Sequence, residues 1–87
     1  MSASMEMPRY VCHKEVQALK IAEIIFTQGR IFLRPVDTAY DRIEITTNFD
    51  RKHAPSSGGY YVVYADGYKS YSPAHAFESG YTRVEGA

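Results

Sequence analysis

Residues 58–73, Gly-Gly-Tyr-Tyr-Val-Val-Tyr-Ala-Asp-Gly-Tyr-Lys-Ser-Tyr-Ser-Pro, decide the fold, because this stretch specifies a hairpin and then the start of a helix. Two runs of β-prone residues meet at Asp66-Gly67. This pair accepts the positive φ angles of a type I′ turn and joins antiparallel strands through a two-residue loop. Such a turn predicts that Val62 lies opposite Tyr71.

The predicted hairpin carries aromatic side chains on both faces. An antiparallel hairpin over a core normally alternates apolar and polar residues, and here neither face is plainly the solvated one. We therefore expect a helix, a second subunit or a ligand to cover one aromatic face. One face carries Tyr60, Val62, Tyr64, Lys69 and Tyr71, and the other carries Tyr61, Val63, Ala65, Tyr68, Ser70 and Ser72.

The hairpin leads into a short C-terminal helix. Ser72 is a favourable N-cap, Pro73 suits the first helical position, and Gly80 can take the left-handed conformation that ends a helix. The pattern predicts a helix over residues 73–79, with Phe77 as its main apolar contact. Residues 81–84 then form a last strand or an extended tail.

The densest apolar stretch of the chain fits two templates. A helix would align Leu19, Ala22 and Phe26 in one stripe, whereas a strand would place Leu19, Ile21 and either Ala22 or Ile24 around a bulge. The β-branched content and a turn at residues 28–29 favour the strand, as the first arm of a hairpin.

The middle of the chain continues as strand, helical turn and loop. The second arm of the hairpin ends at Pro35, and residues 43–46 alternate as a half-buried strand does. Residues 47–53 predict one or two helical turns, with Thr47 or Asn48 as the cap. Residues 54–59 contain Pro, Ser and Gly and are predicted to be loop.

Composition narrows the classes of function. A chain of 87 residues is small, so a large enclosed active site is not expected. Ten basic and ten acidic residues cancel, so non-specific nucleic-acid binding is not expected either. Cys12 is the single cysteine, which excludes an internal disulfide and suits a reducing compartment. No apolar run approaches the roughly 20 residues of a membrane-spanning helix, and residues 1–9 lack the apolar core of a signal peptide.

Two blocks of the sequence resemble a family of small proteins from tailed bacteriophages and prophages. The first block is Cys-His-Lys-Glu-Val-Gln-Ala-Leu-Lys-Ile at residues 12–21, and the second runs from residue 58 through Ser72-Pro73 to Phe77-Glu78-Ser79-Gly80-Tyr81-Thr82. A wider set of phage proteins has Asp at the position of Tyr60 and Pro at the position of Glu15. The resemblance implies a phage origin and a protein of the host cytoplasm or the virion. It implies no catalytic residues.

Few residues indicate chemistry. The cysteine and the histidines show no zinc-type spacing, so no metal site is expected, and no carboxylates are paired at a fixed spacing. Gly58-Gly59 precedes a strand, whereas phosphate loops place glycines before a helix. Arg51 and Lys52 precede the tyrosine-rich hairpin, and basic side chains beside tyrosine rings can hold a small nucleotide; the alternative is a solvated helix turn beside a core hairpin.

The sequence therefore predicts an α+β fold, with a small antiparallel sheet of five or six short strands and one short C-terminal helix. We expect residues 1–9 to be a disordered lead-in and residues 10–87 to form one domain. No cofactor and no enzymatic activity are expected, and a homodimer is expected because two aromatic faces are hard to cover in a short chain. The expected function is an accessory protein that binds a host protein in host takeover or counter-defence. The alternatives are a protein that sequesters a nucleotide immune signal and a structural component of the virion or its assembly. The candidate binding residues are Tyr60, Tyr61, Tyr64, Tyr68, Tyr71, Arg51, Lys52 and Lys69.

Overall fold

The computed structural model describes residues 7–11 and 14–84, and in these residues it has five strands and two helices. All strand pairs are antiparallel, and the strand order is β3-β2-β1-β4-β5. This confirms the small antiparallel α+β fold with a C-terminal helix. The elements are β1 (Gln17–Thr27), β2 (Arg30–Pro35), β3 (Ile43–Ile45), α1 (Thr47–His53), β4 (Tyr60–Val63), β5 (Lys69–Ser72) and α2 (Ala74–Gly80).

The apolar stretch that fitted two templates is a strand. Thr27 pairs with Arg30 across a two-residue loop. The φ angles of Gln28 and Gly29 are 50° and 75°, as a type I′ turn requires. The pairing register shifts between Ile21 and Glu23, which is the bulge that the strand template predicted.

The long strand β1 has different neighbours along its length. Residues 17–20 pair with β4, and Ile21 and residues 23–27 pair with β2. The change of partner falls at the bulge, a feature that increases the local twist of a strand. The sheet therefore consists of two smaller ladders that share one strand.

The main buried cluster lies on one face of the sheet, next to α1, whereas Phe32 and Val62 are buried on the other face. Its buried residues are Ile21, Ile31, Leu33, Ile45 and Tyr61. Phe49 of α1 packs against this cluster, with its ring centroid 5.9 Å from that of Tyr61. Phe49 of α1 thus covers one side of this cluster.

The cap of α1 lies one or two residues earlier than predicted. The Thr46 hydroxyl accepts the Phe49 amide at 3.0 Å, so the predicted caps Thr47 and Asn48 already lie inside the helix or at its first turn. The helix ends at Ala54, whose φ of 46° is left-handed and whose amide donates to the Asp50 carbonyl. α1 therefore begins after the Thr46 cap, which directly follows β3, and ends before the left-handed residue Ala54.

The predicted register of the tyrosine hairpin is wrong by one residue. Tyr61 pairs with Tyr71, and Val62 pairs with Ser70. The loop has three residues, of which only Gly67 has positive φ, at 90°. The Asp66 carboxylate accepts the Tyr68 amide at 3.0 Å, and the Tyr64 amide donates to the Tyr68 carbonyl at 2.9 Å. Because the aspartate side chain stabilises its own turn, the loop is a type I turn with a glycine bulge rather than type I′.

The predicted ends of the C-terminal helix are also corrected. Ser72 pairs with Tyr60 in the sheet, so it is not available as a cap, and Pro73 occupies the N-cap position with extended backbone. Gly80 remains in α2 and does not have positive φ. Tyr81 is extended instead, and its amide donates to the Phe77 carbonyl. Residues 81–84 form no strand, which leaves the extended tail.

The predicted lead-in lies mostly outside the described residues. Residues 7–11 are exposed and have no regular secondary structure. Of the helices in residues 7–11 and 14–84, neither has the length and apolar character needed to cross a bilayer.

Candidate functional site

The tip of the β4–β5 hairpin presents two stacked tyrosines. The ring centroids of Tyr64 and Tyr68 lie 6.0 Å apart with an interplanar angle of 26°. The two side chains are 38% and 46% exposed. Backbone hydrogen bonding between the two residues holds them at the base of the three-residue loop, so the pair is preorganised rather than on flexible chain.

The last turn of α1 brings a lysine and a histidine against this pair. Lys52 Nζ donates to the Tyr68 hydroxyl at 3.0 Å and lies 5.4 Å from the ring centroid. The His53 ring meets Tyr68 edge-on at 6.5 Å and Phe49 at 4.5 Å, which ties the cluster to the core. We call Lys52, His53, Tyr64 and Tyr68 the hairpin patch.

The hairpin patch combines apolar ring surface with hydrogen-bonding groups at its rim. Tyrosine rings supply contact area at low cost in conformational entropy, and their hydroxyls tolerate water before a partner arrives. Lys52 adds positive charge beside one ring, and Lys69 is exposed on the neighbouring strand β5. This chemistry suits a flat contact with a protein surface.

The predicted binding residues do not form one site. Tyr61 is 9% exposed and belongs to the core, where burial raises the pKa of its hydroxyl. Tyr71 lies over Gly59, and its hydroxyl is 3.0 Å from Ser56 Oγ. Tyr61 is a core residue and Tyr71 is half-buried, so both side chains pack within the fold; their assignment to a binding surface stays a prediction.

Arg51 and Lys69 remain near the hairpin patch without joining it. Arg51 is exposed on α1, and Lys69 is exposed opposite Val63 in β5. Neither is within the ring contacts and hydrogen bonds that define the hairpin patch in the described residues. Of the three basic residues predicted to bind a partner, Lys52 is the one that contacts a tyrosine of the hairpin patch.

Tyr60 belongs to a different cluster. Its ring stacks on Phe77 of α2 at 4.2 Å, and Phe77 stacks on Tyr81 at 4.5 Å. The Glu78 carboxylate accepts hydrogen bonds from Lys20 Nζ at 2.8 Å and from the Tyr60 hydroxyl at 2.7 Å. These contacts hold α2 against the sheet.

Charge pairing around Glu78 shifts three pKa values. The hydrogen bond from Lys20, followed by that from Tyr60, lowers the pKa of the Glu78 carboxyl below its ordinary 4.5. The same carboxylate raises the pKa of Lys20 and of Tyr60. All three groups are therefore held in the charge state that they have at neutral pH.

A cleft next to α2 was not predicted from the sequence. It has a volume of about 970 Å³ and lies between the start of β1, the β2–β3 loop and the chain after α2. Lys20, Tyr40, Phe77 and Tyr81 are among the residues that line it. The four-residue spacing of Phe77 and Tyr81, whose rings stack although Tyr81 lies just beyond α2, was the available signal.

Neither metal-ligand geometry within the described residues nor comparison with known proteins assigns a function to the chain. Within residues 7–11 and 14–84, no three His, Cys, Asp or Glu side chains come together as a metal site would require, and Cys12 and His13 lie outside these residues. Protein-family models, curated proteins and solved structures were compared with the chain, and none matches.

Proposed function

We propose that this chain is a small phage-encoded accessory protein that binds a host protein through the hairpin patch, in host takeover or counter-defence. The observation that carries the proposal is the exposed Tyr64–Tyr68 stack with Lys52 bonded to its rim. Tyrosine is enriched among the residues that dominate binding energy at protein interfaces. The resemblance of two sequence blocks to phage proteins supports the phage origin.

The arrangement of the rings favours a protein partner over a nucleotide. A nucleobase binds by stacking on an open aromatic face, and here the second ring lies offset beside that face, with the centroids 6.0 Å apart. The nearest cation, Lys52, donates one of its three N–H groups to the Tyr68 hydroxyl, which holds its ammonium group at the rim of the ring. An interface that covers both tyrosines from the outside uses their exposed surface as it stands.

The test is native mass spectrometry of the tagged protein drawn gently from bacterial lysate, with a double variant and a matched control. Tyr64→Ser with Tyr68→Ser removes the stack. Tyr10→Ser removes a tyrosine that is 91% exposed elsewhere on the chain. We expect a host protein to be retained by the wild type and by Tyr10→Ser and to be lost by the double variant.

The captured protein is then purified and titrated against each variant. We expect the double variant to weaken binding by at least about 30-fold, which corresponds to the loss of one interface hot spot. Equal retention by the double variant would contradict the proposal. A bound species of nucleotide mass would favour sequestration instead, and self-assembly with no bound species would favour a structural role in the virion.

A further inference from the structure

One backbone edge of β1 has no neighbour in the part of the chain that the structure describes. Residues 23–27 pair with β2 on one side. On the other side, the last backbone hydrogen bonds are those of Ile21, which donates to the Gly59 carbonyl and accepts the Gly58 amide, both at 2.8 Å. A free strand edge is a template for pairing with another chain.

The turn geometry determines which backbone groups point outward. Thr27 and Arg30 flank a two-residue hairpin loop and form a hydrogen-bonded pair, so the N–H and C=O of Thr27 and Ile25 point towards β2. By alternation, those of Ile24 and Phe26 point away from β2. Two donors and two acceptors are thus available on this edge.

The side chains on this edge do not protect it. Natural edge strands usually carry lysine, proline or an inward-pointing charge that blocks pairing. Here Ile24 and Ile25 are half-buried, and Phe26 is 67% exposed beside the buried Ile31 with which it pairs. The edge is therefore apolar on both faces of the sheet at its centre.

We propose that a second copy of this chain pairs with this edge, antiparallel and about a two-fold axis, to form one continuous sheet across the dimer. Ile25 lies opposite Ile25 of the second copy, and Ile24 lies opposite Phe26 of the second copy. The outward N–H and C=O groups of these last two residues meet in hydrogen-bonded pairs. This inference concerns a different surface from the hairpin patch and does not depend on the proposed function.

The side chains select this register. Residues directly opposite each other in a sheet have side chains on the same face. The two-fold axis must therefore pass midway between the two copies of one residue, so that this residue lies opposite itself. An axis through Ile24 would put Glu23 opposite Ile25, a charge against an apolar side chain. An axis through Phe26 would shorten the pairing by one residue at each end. The axis through Ile25 instead puts Glu23 opposite Thr27, with Arg30 as the next residue across the sheet.

The same register continues the apolar rows of each subunit. On the core face, the row Leu33–Ile24 extends to Phe26 and Ile31 of the second copy. On the other face, the row Phe32–Ile25 extends to Ile25 and then Phe32 of the second copy. The exposed Phe26 ring is then covered by Ile24 of the second copy. Because the dimer is symmetric, the same apolar surface is buried on each protomer.

The first experiment is sedimentation equilibrium over a dilution series from millimolar to micromolar protein. Phe26→Lys places a charge on the edge, and Tyr40→Lys makes the same charge change at a side chain that is 53% exposed elsewhere. We expect a dimer for the wild type and for Tyr40→Lys. Phe26→Lys should raise the dissociation constant by at least about 30-fold while circular dichroism remains that of a folded protein. A monomeric wild type, or equal weakening by both variants, would overturn the proposal.

A second experiment tests the register itself. In a Cys12→Ser background, Ile25→Cys places one thiol on the two-fold axis in a non-hydrogen-bonded pair, where the two Cα atoms lie about 4.5 Å apart and a disulfide can form. Thr27→Cys is the control, since its counterpart is Glu23. We expect rapid oxidation to a covalent dimer for Ile25→Cys and slow oxidation for Thr27→Cys. Equal rates for the two variants would refute the register.

Discussion

Gly59 is the position at which the addition of one methyl group has the most predictable effect. It is buried, and a Cβ atom placed there would overlap the ring carbons and the hydroxyl of Tyr71. The Tyr71 hydroxyl also contacts Ser56 Oγ, so the ring is held over the glycine from two sides. Gly59→Ala therefore forces the tyrosine to move.

The size of the effect follows from what Tyr71 would lose. Turning the ring away from its preferred rotamer costs about 0.5–1.5 kcal/mol, and breaking the hydrogen bond to Ser56 costs about as much. Together they lower the free energy of unfolding by about 1–3 kcal/mol, the usual range for an overpacked site. In a domain of this size we expect the melting temperature to fall by roughly 5–20 °C.

The assay is chemical denaturation with thermal melting as a second readout, and Gly80→Ala is the matched control. Gly80 lies at the end of α2 without positive φ, and a Cβ atom there meets nothing within 4 Å. We expect Gly80→Ala to leave stability unchanged or to raise it slightly, because alanine is the better helix former.

A double-mutant cycle with Tyr71→Ala separates the overlap from other causes. If the Tyr71 ring is the obstacle, Gly59→Ala should cost little in a chain that already has Tyr71→Ala, and the coupling energy should reach about 1 kcal/mol or more. An equal cost in both backgrounds would refute the reasoning, as would an unchanged stability of the single variant.

Three further predictions concern the packing of α2 and of the core. Because the pKa of Glu78 is lowered in the folded state, the stability that Glu78 provides is present above pH 4.5 and is lost as pH falls through the lower folded pKa. The melting temperatures of Glu78→Gln and the wild type should therefore differ at pH 7 and converge in strong acid. A difference that stays constant with pH would contradict this. Phe77→Ala removes the ring between Tyr60 and Tyr81, so amide exchange in α2 should accelerate while β1 stays protected, and unchanged exchange in α2 would show that other contacts hold it. Leu33 is 1% exposed, so Leu33→Ala should lower the free energy of unfolding by about 2–5 kcal/mol. Ile21→Val, at a site 2% exposed, should lower it by about 0.5–1.5 kcal/mol. A small loss for Leu33→Ala would mean that the core collapses around the cavity.

The hairpins were predictable because their turns are local. Gln28-Gly29 determines the β1–β2 pairing by itself, and the bulge near Ile21 was visible in the broken alternation of apolar residues. The β4–β5 register was not predictable from Asp66-Gly67, since the same pair fits a two-residue and a three-residue loop. The Asp66 side chain, which accepts the Tyr68 amide, selects the longer loop.

The division of the tyrosines depends on contacts between distant parts of the chain. A shift of one residue in register moves Tyr71 from one face of the hairpin to the other. The burial of Tyr61 depends on Phe49, and the placement of Tyr60 depends on Phe77. Propensities along the hairpin do not contain this information. The proximity of Lys52 to Tyr68 was anticipated only as a cluster of basic residues near the hairpin.

The exchange of partners along β1 has a kinetic consequence. Only two residues separate the paired Thr27 and Arg30, whereas the pair Lys20 and Tyr60 closes a loop of about forty residues at a larger entropic cost. We therefore expect the β1–β2 hairpin to nucleate folding and the β4–β5 hairpin to add to the other half of the same strand late. A destabilising change at Gln28-Gly29 would then slow refolding, and one at the tyrosine hairpin would mainly speed unfolding.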